Sequence, residues 1–136
     1  MERAKTIVIG TLDHQIFANL NTHLASAAYE VRLVQRGLRI LSEILDQEVD
    51  LLILDLDLAG VIGIEILPLI RRLRPRLPII LITDDLNLRI RKMAAELGVS
   101  YQAYKPVTPS ETEAIITAAE RLIERSSSFS CQAVMN

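Results

Sequence analysis

Asp50-Leu51-Leu52-Ile53-Leu54-Asp55-Leu56-Asp57 is the stretch that decides the fold. Its first four apolar residues stand in a row without polar alternation. That pattern suits a strand covered on both faces, as in the middle of a parallel sheet. An acid, Asp55, closes the run. Working outward, three further short runs end in a polar residue: Thr6-Ile7-Val8-Ile9 leads to Asp13, Ile79-Ile80-Leu81-Ile82 to Thr83, and Tyr101 to Tyr104 to Lys105. In an open parallel sheet, ligands bind outside the carboxyl ends of the strands, where the strand order reverses. Two acids, a hydroxyl and a cation from four separate segments are therefore predicted at one edge.

Helical patterns alternate with these runs. Strands are predicted over 5–10, 30–35, 50–55, from Pro78 to Thr83, and over 101–104. A helix over 14–27 carries Phe17, Leu20 and Leu24 on one face, and one over 37–47 is marked by Leu38, Leu41 and Leu45. A third runs from about Gly63 to Arg74, with Pro68 early enough to be accommodated. Asp84 or Asp85 caps a fourth, with Leu86, Ile90, Met93 and Leu97 as its apolar residues and Gly98 as its stop. Thr108-Pro109-Ser110-Glu111 reads as a capping box that opens a last helix ending near Glu124. Five β–α repeats with short links imply a doubly wound parallel sheet with helices on both faces. Residues 1–125 form one domain on this reading, and the serine-rich segment 126–136 is expected to be a disordered tail.

Composition narrows the function classes. An apolar fraction of 50% with 24% charged residues in 136 positions suits a single soluble domain with a well-filled core. A net charge of −2 gives no general attraction to nucleic acid or to an anionic membrane. No apolar run approaches the roughly 20 residues of a spanning helix, and the one cysteine, Cys131, permits no internal disulfide. A cytoplasmic protein is expected. Arg71, Arg72, Arg74 and Arg76 read as a solvated helix end, where cations are favourable. His14 and His23 are too far apart for a metal pair on one helix.

With these residues in place, the chain resembles the receiver domain of two-component response regulators from residue 5 to about 124. The segment Asp50 to Gly63, then Ile80-Leu81-Ile82-Thr83, then Tyr104-Lys105-Pro106 carry the likeness. The resemblance implies a flavodoxin-like fold with strand order 2-1-3-4-5. It implies Asp55 as phosphoacceptor, Thr83 as switch hydroxyl, and Lys105 as phosphate-contacting lysine ahead of a cis bond to Pro106. It also implies a sensor histidine kinase or phosphotransfer protein as donor and a downstream protein as partner. Docking, homodimerisation included, would use the face of helix 4, strand 5 and helix 5.

The chemistry is sound on its own terms. A carboxylate attacking phosphorus gives an acyl phosphate, and a cation or lysine offsets charge on the equatorial oxygens. Several positions depart from the family, however. Receivers carry two acids after strand one that hold Mg²⁺; those positions are Thr11 and Leu12 here, leaving Asp13 one place later. Hard divalent cations need several oxygen ligands, so Mg²⁺ held by Asp13, Asp55 and Asp57 is expected to bind weakly. Asp13 is equally a helix cap. Asp84 follows Thr83 where the family has a small residue, bringing negative charge toward the phosphate position. Gln102 takes the place of the switch aromatic, between Tyr101 and Tyr104.

Three functions compete at this stage. The first is a receiver phosphorylated on Asp55 that signals through altered docking. The second is a degenerate receiver that binds partners without phosphorylation. The third, more remote, is a haloacid-dehalogenase-like phosphatase, suggested by Asp55-Leu56-Asp57, Thr83 and Lys105. Such enzymes place the nucleophile strand first and need acids beyond the lysine, where this chain has Pro106-Val107-Thr108-Pro109. A signalling module without enzymatic activity is favoured.

Overall fold

The computed structural model describes residues 3–58, 63–84 and 88–135. The elements follow in the order β1 (Thr6–Gly10), α1 (His14–Ser26), β2 (Glu30–Val34), α2 (Gly37–Asp46), β3 (Leu51–Asp55), α3 (Gly63–Leu73), β4 (Ile79–Thr83), α4 (Leu88–Glu96), β5 (Tyr101–Tyr104) and α5 (Pro109–Met135). All strand pairings are parallel, in the order β2-β1-β3-β4-β5, as the sequence predicts. The chain reverses its direction of winding between β1 and β3, which puts a crevice at their carboxyl ends.

β1, β3 and β4 are buried along their whole length, so each strand feeds two cores through alternate side chains. Val8, Leu52, Leu54, Ile79 and Leu81 point to one layer, filled by Ile40 and Ile44 of α2 and Ile66, Leu67 and Ile70 of α3. Ile7, Ile9, Leu51, Ile53, Ile80 and Ile82 point to the other, filled by α1 and by Ile115, Ile116, Ala119 and Ile123 of α5. Gly10 permits the close approach of α2: a β-carbon there would stand 2.5 Å from the Ile40 side chain.

Three helix expectations are corrected. In α2 the buried face is Gly37, Ile40 and Ile44; Leu41 is partly covered, while Leu38 and Leu45 are 68% and 62% exposed. Both stripes repeat at helical spacing, so periodicity alone does not choose between them; packing on β1 does. In α1 the inner residues are Ile16, Leu20 and Leu24, with Phe17 at the margin. The last helix continues to Met135, past the end expected near Glu124, and the segment read as a disordered tail has helical backbone. No glycine or proline interrupts residues 126–136, so nothing in the chain enforces a stop.

The expected cap at Asp85 and the apolar Leu86 lie outside the described residues. Of the remaining α4 positions, Ala94 is buried, Ile90 and Leu97 are partly buried, and Met93 lies at the surface. Thr108 caps α5 as predicted, its hydroxyl accepting from the Glu111 amide at 3.1 Å.

Candidate functional site

Each site residue is placed by the register of its strand. Gly10 pairs with Leu54 across β1 and β3, so Thr11 and Asp55 emerge side by side at the end of the sheet. Asp55 pairs with Ile82, which brings Thr83 one step beyond it. Thr83 pairs with Tyr104, and the Thr83 carbonyl accepts from the Lys105 amide at 2.9 Å. The Lys105–Pro106 peptide bond is cis. Four strand ends therefore deliver Thr11, Asp55, Thr83 and Lys105 to one crevice.

The Asp55 carboxylate is 1% exposed and fully engaged. Its Oδ2 accepts from the Thr11 hydroxyl at 2.8 Å and lies 2.9 Å from Lys105 Nζ. Its Oδ1 accepts from the Asp57 amide at 3.0 Å. A buried carboxylate is tolerated only when paired and hydrogen-bonded, and these three contacts meet that need. Thr11 and Thr83 are buried, whereas the lysine end of the pair stays partly open to solvent.

The other expected site residues stand further from this centre. Asp13 does not turn toward Asp55: its Oδ1 accepts from the Gln15 and Ile16 amides at 2.9 and 3.2 Å and caps α1. Asp57 reaches the site through its backbone, with its residue exposed. Asp84 is exposed and lines an open cleft with Asp13, Asn19, Lys105, Pro106 and Val107. Gln102 donates to the Arg91 carbonyl at 3.3 Å and thereby ties β5 to α4, while its Oε1 is buried without a partner among the described residues.

This donor set does not fit the Mg²⁺ site typical of receivers. Among the described residues no group of three or more acids, histidines or cysteines is close enough to hold a metal ion. Thr11 supplies a hydroxyl already committed to Asp55, Leu12 supplies no ligand, and the Asp13 carboxylate is committed to α1. One converging carboxylate is poor coordination for a hard cation.

Thr11 is the residue at this centre that the sequence does not point to, since there it reads only as the absence of an acid. The strand order that the resemblance implies, with β1 beside β3, holds the signal. Arg71 and Arg74 also depart from expectation. Arg71 donates to the carbonyls of Leu97, Arg74, Pro75, Leu77 and Gly98, and Arg74 to those of Ile44 and Val49. They are partly buried struts at the far edge of the sheet, and burial pulls the Arg71 guanidinium below the ordinary arginine value.

A buried acid thus stands paired with a lysine at the switch point of a 2-1-3-4-5 sheet. The family of the response regulator receiver domain matches residues 12–117, and the chain belongs to it. It is 32% identical over 120 residues to the transcriptional regulatory protein GltR of Pseudomonas aeruginosa, covering 86% of this chain and 49% of that one. It is 28% identical over 102 residues to the transcriptional regulatory protein CreB of Escherichia coli, covering 75% and 44%. The chain thus spans about half the length of these regulators or less. A CheY-like receiver domain from Methanospirillum hungatei superposes with a TM-score of 0.79 at 25% identity, over 93% of this chain and 99% of that one. The chain is a receiver domain of two-component signalling, a family whose general mechanism is phosphorylation of an aspartate and whose members are generally not enzymes.

Proposed function

We propose that this receiver accepts a phosphoryl group on Asp55, slowly, and signals by a change in protein docking. One observation carries the reading: Lys105 Nζ lies 2.9 Å from a carboxylate that is 1% exposed, beside Thr83 at the open edge of the sheet. A carboxylate oxygen of Asp55 attacks phosphorus, and the bond from phosphorus to the donor breaks with its electron pair leaving on the donor atom. Lys105 offsets charge on the equatorial oxygens, and the Thr83 hydroxyl donates to one of them. Mg²⁺, when bound to a receiver, supplies further charge neutralisation; here its affinity is weak for want of acids at Thr11 and Leu12. The donor is a histidine kinase or phosphotransfer protein. The partner is a downstream protein or a second copy meeting α4, β5 and α5, in the cytoplasm, with no role for direct nucleic-acid contact. The receiver unit is residues 1–125, since the last core residue of α5 is Ile123.

The second reading, a degenerate receiver that docks without phosphorylation, is favoured by one feature: Thr11 holds Asp55 where an acid would normally help to hold a cation. Incubation with acetyl phosphate, with and without Mg²⁺, followed by intact-mass measurement decides between them. A slowly formed phosphoryl adduct that disappears in Asp55→Asn is the expected result. Adduct of equal yield in Asp55→Asn would remove Asp55 from the role, and no adduct in wild type would leave the docking module.

A further inference from the structure

We infer that Thr11 is a positioning residue that couples the phosphoacceptor to the start of α1. The inference deepens the phosphoacceptor reading of Asp55 and rests on it for its signalling meaning. Thr11 is 1% exposed, and both faces of its hydroxyl are used. It donates to Asp55 Oδ2 at 2.8 Å and accepts from the Asp13 amide at 3.0 Å. Asp13 in turn caps α1 by accepting from the amides of Gln15 and Ile16. An unbroken series of hydrogen bonds therefore runs from the buried carboxylate to the first turn of a surface helix.

The chemistry gives this series a direction. A hydroxyl has one proton, so while its lone pair takes the Asp13 amide its proton is aimed at Asp55. The backbone on each side is fixed: the Thr11 amide donates to Val34 and the Phe17 amide to Asp13, at 3.1 Å each. Conversion of Asp55 to an acyl phosphate makes one carboxylate oxygen the bridging oxygen of a mixed anhydride and the other a neutral carbonyl, both weaker acceptors. The Thr11 hydroxyl then re-aims toward a phosphoryl oxygen, and the acceptor offered to Asp13 turns with it. The surface that registers the change is the cleft where Asp13, Gln15, Ile16 and Asn19 face Lys105 and Val107. An acid in place of Thr11 could not form this connection, since an ionised carboxylate only accepts.

Amide hydrogen exchange followed by NMR tests the coupling, whether or not phosphorylation occurs. Thr11→Val keeps the shape and removes the hydroxyl. Exchange at the Asp13 amide should rise at least about fivefold, the scale of losing one ordinary hydrogen bond. Thr11→Ser should restore the wild-type rate. Asp55→Ala removes the acceptor without touching Thr11 and should raise exchange at Asp13 by a similar factor. The double variant Thr11→Val, Asp55→Ala should go no further than either alone, because both cut one connection. Amides of Ile115 and Ala119 in α5 report global stability and should be unchanged; if Thr11→Val loosens them, Thr11→Ala replaces it. An unchanged Asp13 rate in Asp55→Ala, multiplicative effects in the double variant, or no rescue by serine would overturn the coupling. Acetyl phosphate labelling of the wild type is the separate check on Asp55. Exchange coupling without an adduct would refute the phosphoacceptor reading and keep the brace; an adduct without exchange coupling would do the reverse.

Discussion

Thr11 and Leu12 show how two residues can alter a site in which the buried Asp55 and its lysine are both in place. Their side chains offer a neutral hydroxyl and an alkyl group, and the nearest acid, Asp13, is held by helix amides. Mg²⁺ affinity should therefore be recoverable by chemistry alone. Thr11→Asp combined with Leu12→Asp is expected to strengthen Mg²⁺ binding at least about tenfold by calorimetry, since each carboxylate adds both charge and an oxygen ligand. Adding Asp84→Ala should then speed acetyl phosphate labelling, because the exposed Asp84 shares the cleft with Lys105. Unchanged calorimetry in the double variant would mean that the missing acids are not what limits Mg²⁺ binding. Asp55 and Lys105 were legible in the sequence because an acid and a lysine that end buried runs are conspicuous. Thr11 was not, because a threonine beside a strand is ordinary until the β1–β3 register sets it against Asp55.

Strands were more legible than helix faces for a physical reason. A continuous apolar run of three or four residues bounded by polar residues is too short for a helix and reads as a strand. The α2 sequence Gly37-Leu38-Arg39-Ile40-Leu41 carries two apolar stripes, and only the close approach at Gly10 selects the one with Ile40. Arginines at a helix end are equally ambiguous. Arg71 lies at the end of α3 and gathers carbonyls from the turn after α3, from the entry to β4 and from the turn before β5. Such a fork cannot be replaced by water without opening the edge of the fold. Arg71→Ala is expected to cost about 2–4 kcal/mol in urea denaturation, because five carbonyls, three of them in part-buried bonds, lose a charged donor together. Arg71→Lys should recover only part of that, since an ammonium keeps the charge but not the planar five-donor geometry. A loss below about 0.5 kcal/mol, the range of ordinary surface substitutions, would return Arg71 to the solvated helix end that the sequence suggested.

The molecule as a whole sets its site and its surfaces on different elements, so the two should be separable by mutation. Asp55, Thr11 and Lys105 close the carboxyl edge of the sheet. On α4, Arg91 lies with its guanidinium 5.9 Å from the centre of the Tyr104 ring, and its carbonyl accepts from Gln102. Leu88, 72% exposed, lies on the same helix. A cation over an aromatic ring beside an exposed leucine is suited to docking, as arginine and aromatic residues are enriched at interface centres. A rival surface lies on the same side of the sheet as α4, where Leu38 and Leu45 of α2 and Leu69 and Leu73 of α3 are exposed. Charge reversal discriminates between the two. Arg91→Glu removes the cation–π contact and puts a like charge near any acidic counterpart, while leaving every hydrogen bond of Asp55 in place. Sedimentation velocity over a range of concentrations, with and without acetyl phosphate, should show self-association weakened at least about tenfold in Arg91→Glu, the scale of one desolvated charged contact. Labelling of Asp55 in the same variant should match wild type. Association that survives Arg91→Glu but fails in Leu38→Glu would move the docking face to α2 and α3. The proposed role of Asp55 would stand, because neither substitution touches it.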